Sequence, residues 1–304
     1  MIHQYKFCLW LVNKLMDREM SLNEIQREWL DSAANDEGVP LTARTFSRYK
    51  AHAESLLNVD IECDKSTNRY RLVTGDDVAD WVLSALRVSE LAQRVDSRDF
   101  IMLENPPAGS ENLSTVIEAR EQRKLLDFSY RSLYQESRRY RAVPMFLRLF
   151  RQRWYVTARR EGKEYLTTFA LERMSDIRVE KTERVETDDA MRETDVTPEE
   201  YFADCFGVTH SGEPVRIVVR AFWPQDAYLA EVPMHHSQRV VEKAENWTDY
   251  ELRVCPTYDF KQELLWHRDK LAVISPAWLR DDMLDILARM TESSMTGEPH
   301  CKDE

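Results

Sequence analysis

Between residues 125 and 185, five short runs alternate apolar with polar side chains: LLDFSYRSL, RRYRAVPMFLRLF, RQRWYVTARR, KEYLTTFALERM and DIRVEKTERV. A two-residue period places each run's apolar set on one face of an extended strand, and a helix cannot hold that pattern. With a polar turn at residues 161–163 and Pro144 limiting pairing near its own position, these runs predict a small antiparallel barrel of the SH3 or Sm kind. In RQRWYVTARR, Trp154, Val156 and Ala158 fall on the face meant for the core. Arg153, Tyr155, Thr157 and Arg159 fall on the other, which reads as cationic and aromatic. Side chains fill the interior of so small a barrel, so a ligand would sit on a face or rim.

Composition matters through its distribution. The chain of 304 residues has a formal net charge of −12, yet residues 120–184 hold 17 Lys/Arg against 9 Asp/Glu, which leaves 25 against 45 elsewhere. A basic block set in an acidic chain points to a polyanionic partner for that block. Five dispersed cysteines without a CxxC pair predict reduced thiols in a cytoplasm and no structural zinc. The opening run MIHQYKFCLWLVNKLMDRE reads as an amphipathic helix, not a signal peptide, and no stretch is long enough to span a bilayer.

Residues 1–75 read as three helices and a hairpin, the outline of a winged helix-turn-helix. Ser21 and Glu24 stand in the relation of a capping box. In the third helix Phe46, Tyr49, Ala53, Leu56 and Leu57 cluster on one side, with Arg44, Ser47, Arg48, Ala51 and Ser55 opposite. Arg44 and Arg48 lie one turn apart, placed to reach base edges or phosphates in one groove. Thr45, Ser47 and Lys50, with Arg69 from the hairpin, complete the expected DNA-binding set.

Residues 76–119 read as a helical linker in which Val78, Trp81, Ala85 and Leu86 form an apolar face, ending in the cluster ENPPAGSEN. The barrel occupies 120–184, and an acidic linker follows over 185–212. Over 213–294 the runs alternate as strand, helix, strand, strand, helix, strand, helix, the order of a ferredoxin-like α/β extension. Residues 295–304 read as a tail. The fold class expected is multidomain α+β.

The run Trp154-Tyr155-Val156, preceded by YRAVP and followed by FALERM, resembles the WYL-domain transcriptional regulators. The order helix-turn-helix, linker, barrel and extension extends the resemblance over nearly the whole chain. Trp154, Tyr155 and Arg173 match family positions, whereas Val156 and Met174 replace a leucine and an isoleucine. Thr167 stands where many members carry an arginine, and Arg138, Arg139 and Arg141 are the candidates to stand in for it. The resemblance implies a bacterial, homodimeric, DNA-binding regulator, expected to repress. Its barrel would bind an effector, in some members single-stranded nucleic acid, and its extension would help dimerisation or DNA binding. The residues expected at the effector face are Tyr130, Arg138, Arg139, Arg141, Arg153, Tyr155, Arg159 and Arg173.

Enzyme signatures are missing: the seven glycines form no GxGxxG or phosphate loop, and neither GxSxG nor HExxH occurs. His235 and His236 are adjacent, so in a strand they would point apart and in a loop they read as incidental, not as metal ligands. Asp188-Asp189 and Asp281-Asp282 read as solvated or capping charges. No cofactor, metal or membrane partner is expected. The partners expected are operator duplex, a single-stranded or nucleotide effector, and a second copy of the chain. The competing reading is an accessory protein that captures RNA or single-stranded DNA to modulate a partner without binding an operator.

Overall fold

The computed structural model describes residues 2–73, 81, 83–88, 102, 104–133, 135–180 and 196–299. Val78, Asp188 and Asp189 lie outside the described residues, as do the end of the fifth barrel run and the last residues of the tail. The chain is a mixed α/β protein with three antiparallel sheets, divided into two compact units over residues 1–104 and 105–304.

In the first unit, α1 (Ile2–Asp17), α2 (Leu22–Leu30) and α3 (Ala43–Leu57) precede a hairpin of β2 (Asp60–Asp64) and β3 (Arg69–Val73). The capping box forms as its spacing requires, since Ser21 Oγ accepts from Glu24 N while Glu24 accepts from Ser21 N. Met20 and Ser21 also pair with β3 as a short third strand, β1. Phe7, Trp10, Ile25, Trp29 and Phe46 interlock in the core, with Phe7 edge-on to Trp29 at 5.0 Å between centroids. Several side chains depart from the expected faces, Ala85 among them, which is exposed. Leu56 is exposed, and in the helical stretch after the hairpin Leu83 is buried while Trp81 is 53% exposed.

The second unit opens with α4 (Leu113–Glu121) and five strands: β4 (Leu126–Tyr130), β5 (Arg138–Phe150), β6 (Arg153–Arg160), β7 (Leu166–Ala170) and β8 (Met174–Val179). Their order is β7-β6-β5-β4-β8, and a single 3-10 turn, Leu171–Arg173, joins the two edge strands. Pro144 is accommodated because it lies past the end of β4's pairing and at a bulge opposite β6, where no ladder needs its N–H. One face of the sheet closes on α4 through Phe128, Val156, Ala158 and Phe169, with Trp154 packed against this core as the alternation predicts.

The opposite face is not the solvated cationic surface that the alternation suggests. Thr157 is only 1% exposed, and Tyr155 and Arg159 are partly covered. Thr157 bonds Thr168 on the neighbouring strand, and further along this face lie residues 201–206, from a stretch that reads as a linker but carries the helix α5 (Pro198–Phe202). Tyr201 and Phe202 pack on Phe146, and Phe206 packs on Phe150. Arg148 is trapped under this layer with its guanidinium 4.3 Å from the Phe202 ring centroid, and burial pulls it below its ordinary pKa.

The last strands and helices follow the expected order: β9 (Val215–Phe222), α6 (Gln225–Glu231), β10 (Arg239–Lys243), β11 (Trp247–Val254), α7 (Tyr258–Trp266), β12 (Leu271–Ser275) and α8 (Ala277–Thr296). The sheet order β10-β11-β9-β12 is antiparallel throughout, and α7 and α8 cover one face through Phe260, Leu264, Leu279 and Met283. Among the described residues no helix is long and apolar enough to cross a membrane.

Candidate functional site

The covered face of β6 does not close completely. A cavity of about 590 Å³ remains between the five-stranded sheet, residues 201–210 and the start of α7. Four of the eight residues expected at an effector face line it: Tyr130, Arg153, Tyr155 and Arg173. Alternation on β6 sends Arg153 and Tyr155 to this side, and the 3-10 turn swings Arg173 in beside them.

The charge of this site is largely balanced. Arg153 is ion-paired with Glu172, and Arg173 lies 3.8 Å from the same carboxylate. The Arg153 guanidinium also sits 5.6 Å from the Tyr155 ring centroid. Burial raises the pKa of Tyr155, so its hydroxyl stays protonated at neutral pH and can donate. Among the described residues that hydroxyl has no hydrogen-bond partner, whereas Tyr130 Oη accepts from Ala170 N at 3.3 Å. Thr167, where many members of the resembled family carry an arginine, also lines the cavity, and its Oγ1 is buried without a partner among the described residues.

The remaining wall is not among the residues the sequence points to. Tyr165, Tyr201, His210, Tyr258 and Asp259 supply it. Tyr201 stacks on His210 at 4.7 Å between centroids, and Asp259 Oδ2 fixes their loop by accepting from Val208 N at 3.0 Å and Thr209 N at 3.1 Å. A signal for this wall does exist in the sequence. Thr197 and Glu200 form a capping box with Pro198 at the first helical position, followed by three aromatics within six residues, which is the pattern of a docked helix.

The other four expected effector residues are not in the lining. Arg139 bonds Asp127 at 2.5 Å, and Arg141 is bonded to Glu161 and Glu180. Arg138 is exposed opposite Tyr130 at the end of the β4 and β5 pairing, and Arg159 lies further along β6. The Arg138, Arg139 and Arg141 cluster therefore adds no charge at Thr167.

On α3, Arg44 and Arg48 are exposed, and neither has an acidic partner among the described residues. Thr45 and Ser47 lie beside them; Thr45 N and Oγ1 bond Thr42 Oγ1, and Ser47 donates to Ala43 O. Lys50 is instead ion-paired with Glu54, and Arg69 with Glu24 at 3.2 Å. Along β2 the acidic side chains Asp60, Glu62 and Asp64 alternate outward, and Glu62 bonds Arg71. Among the described residues, no group of three or more His, Cys, Asp or Glu side chains could hold a metal ion.

An N-terminal helical unit, a five-stranded antiparallel sheet and a C-terminal α/β extension follow one another along the chain, and two family models match the last two. Residues 111–179 match the WYL domain, and residues 213–291 match the WCX domain. These two domain matches support the WYL-domain regulator family for this chain. No curated protein matches it. Among solved structures, the proteasome accessory factor B/C (PafBC) of Arthrobacter aurescens is similar at 16% identity and a TM-score of 0.40 over 99% of this chain. The chain spans about half of that protein, 48%. A CRISPR Cas-related protein is similar at 15% identity and a TM-score of 0.42, over 90% of this chain and 77% of the other. At these TM-scores neither likeness bears on function.

Proposed function

We propose that the chain is a DNA-binding transcriptional regulator that acts as a homodimeric repressor and senses a nucleotide or single-stranded nucleic acid in the cavity beside Tyr155. In this reading the first unit works as a winged helix-turn-helix with α3 in the major groove. The five-stranded sheet is an SH3/Sm-like barrel, and the 215–275 sheet is a ferredoxin-like split β-α-β.

The observation that carries the reading is the contrast on the first unit. Among the described residues Arg44 and Arg48 have no acidic partner on one exposed helical face, while Lys50, Arg69 and Arg71 are each paired with an acid. Side chains that are already paired must break those pairs to meet phosphate, so α3 has the most to offer a duplex. Five tyrosines, an exposed histidine and two arginines around the cavity give it surfaces for a base and for a phosphate.

The test is a mobility-shift titration of the full chain on duplexes it selects from a random pool, at several salt concentrations. Replacing Arg44 and Arg48 together by alanine should weaken selective duplex binding by about 2 kcal/mol or more, roughly thirtyfold. It should also reduce the salt slope by about two if both reach phosphates. Unchanged binding by that double variant would remove α3 as the reading element. Tight single-strand binding with no selective duplex would instead establish the accessory reading.

A further inference from the structure

Residues 108–112 lead into the second unit and are held at two points beside the cavity's cations. Ala108 N donates to Gln152 O and Ala108 O accepts from Trp154 N, both at 2.9 Å, so that this residue bridges in parallel to Arg153 at the start of β6. Asn112 Nδ2 donates to Leu171 O at 2.9 Å on the 3-10 turn that carries Arg173. Between them Gly109, at φ +88, lies flat on that turn: a Cβ would stand 2.5 Å from Leu171 Cβ and 2.9 Å from Glu172 N. Only glycine meets both the close approach and the left-handed backbone.

We propose that residues 108–112 are a strap through which occupation of the cavity alters duplex binding. The proposal rests on the reading of the cavity as an effector site. A phosphate-bearing ligand that reaches Arg153 competes with Glu172 for it, and Glu172 sits in the middle of the turn on which the strap lies. Gly109 leaves no gap there, so a shift of the turn moves the strap with it. At its other hold the strap meets a two-residue hairpin in which Arg151 and Gln152 both have positive φ, 47° and 57°. Such a tight turn transmits a displacement of Arg153 to Gln152 O instead of absorbing it. Four residues upstream of Ala108, at residue 104, the strap's chain becomes the N-terminal unit.

The strap is tested in the full chain with two probes, a short fluorescein-labelled single-stranded oligodeoxynucleotide and a duplex selected by the protein. The quantity read is the ratio of duplex Kd with and without the oligonucleotide. In the natural chain this ratio should depart from one by about fivefold or more, and linkage requires the duplex to change oligonucleotide affinity by the same factor. Asn112→Ala removes one hold without adding bulk, and Gly109→Ala forces the strap off the turn. Each should bring the ratio to within about twofold of one while both separate affinities stay near their natural values. Should Gly109→Ala fail to fold, Asn112→Ala decides alone. A natural ratio retained in Asn112→Ala overturns the strap and leaves the cavity reading standing. Oligonucleotide binding that is absent, or indifferent to Tyr155→Ala, overturns the cavity reading and the strap with it.

Discussion

Asp259 offers a sharp test of how the cavity wall is built. Its Oδ2 is the acceptor for two successive backbone donors, Val208 N and Thr209 N, and so fixes the loop that lays His210 on Tyr201. Asp259→Ala leaves both donors without that acceptor. Val208 is 9% exposed, so its orphaned N–H bears a desolvation cost of about 1 to 3 kcal/mol, whereas Thr209 is exposed and regains water. The expected loss is about 2 to 3 kcal/mol of local stability. Because the molecule has more than one unit, a global melt would not isolate that loss. Amide hydrogen exchange at residues 206–210 would, and the loss corresponds to opening about 30- to 150-fold more often. Asp259→Asn keeps an acceptor oxygen without its charge and should cost about 1 kcal/mol, roughly fivefold. Gly207→Ala attacks the same joint from the other side, since its Cβ would lie 2.3 Å from that oxygen, and should open the same amides. Combined with Asp259→Ala its effect should fall short of the sum. Exchange at Val208 that rises less than about threefold in Asp259→Ala would refute the claim that this carboxylate holds the wall.

Three further outcomes are expected. Arg139 and then Arg178 hold the carboxyl of Asp127 down to about 2, so its contribution to stability is full above about pH 4 and is lost as pH falls through 2. Near-UV circular dichroism during acid titration should show that loss, and Asp127→Asn should reduce the pH dependence in that window without removing the part due to other depressed carboxylates such as Glu24. Tyr155→Ala should weaken the single-stranded probe by about 1 to 3 kcal/mol, read by fluorescence anisotropy, with duplex binding in the absence of the probe unchanged. Ser21→Ala removes the cap of α2 and should cost the first unit about 1 kcal/mol, read as faster exchange of the α2 amides with none in residues 126–179.

The fold was legible wherever one period dominated. The five alternating runs became five strands, the β5 run with its expected bounds, and the Ser21 and Glu24 spacing became a capping box. Alternation assigns a residue to a face but does not say what covers that face. Arg153, Tyr155 and Thr157 were separable from Trp154 and Val156, while the layer packed on Phe146 comes from Tyr201 and Phe202, more than 50 positions downstream. The same limit holds for the arginines. Residue type marked Arg139, Arg141 and Arg153 alike, and only cross-strand register showed that Asp127, Glu161 and Glu180 engage the first two away from the cavity. Thr197 and Glu200 carried a helix signal, but acidic residues crowd that stretch and give it the composition of a linker.

The layer over the β5 and β6 face also sets an order of events at the ribosome. Val143, Met145 and Phe146 are synthesised 56 to 59 residues before Phe202, which with Tyr201 covers their side of the sheet. At elongation rates of about 5 to 20 residues per second that apolar face stays bare for about 3 to 10 s, long compared with hairpin formation in microseconds. A nascent chain at that length presents a paired sheet with a sticky outer side, a natural client for a chaperone. A fragment ending near residue 180 would remain in that state, so the sheet should aggregate when expressed without the residues that follow it.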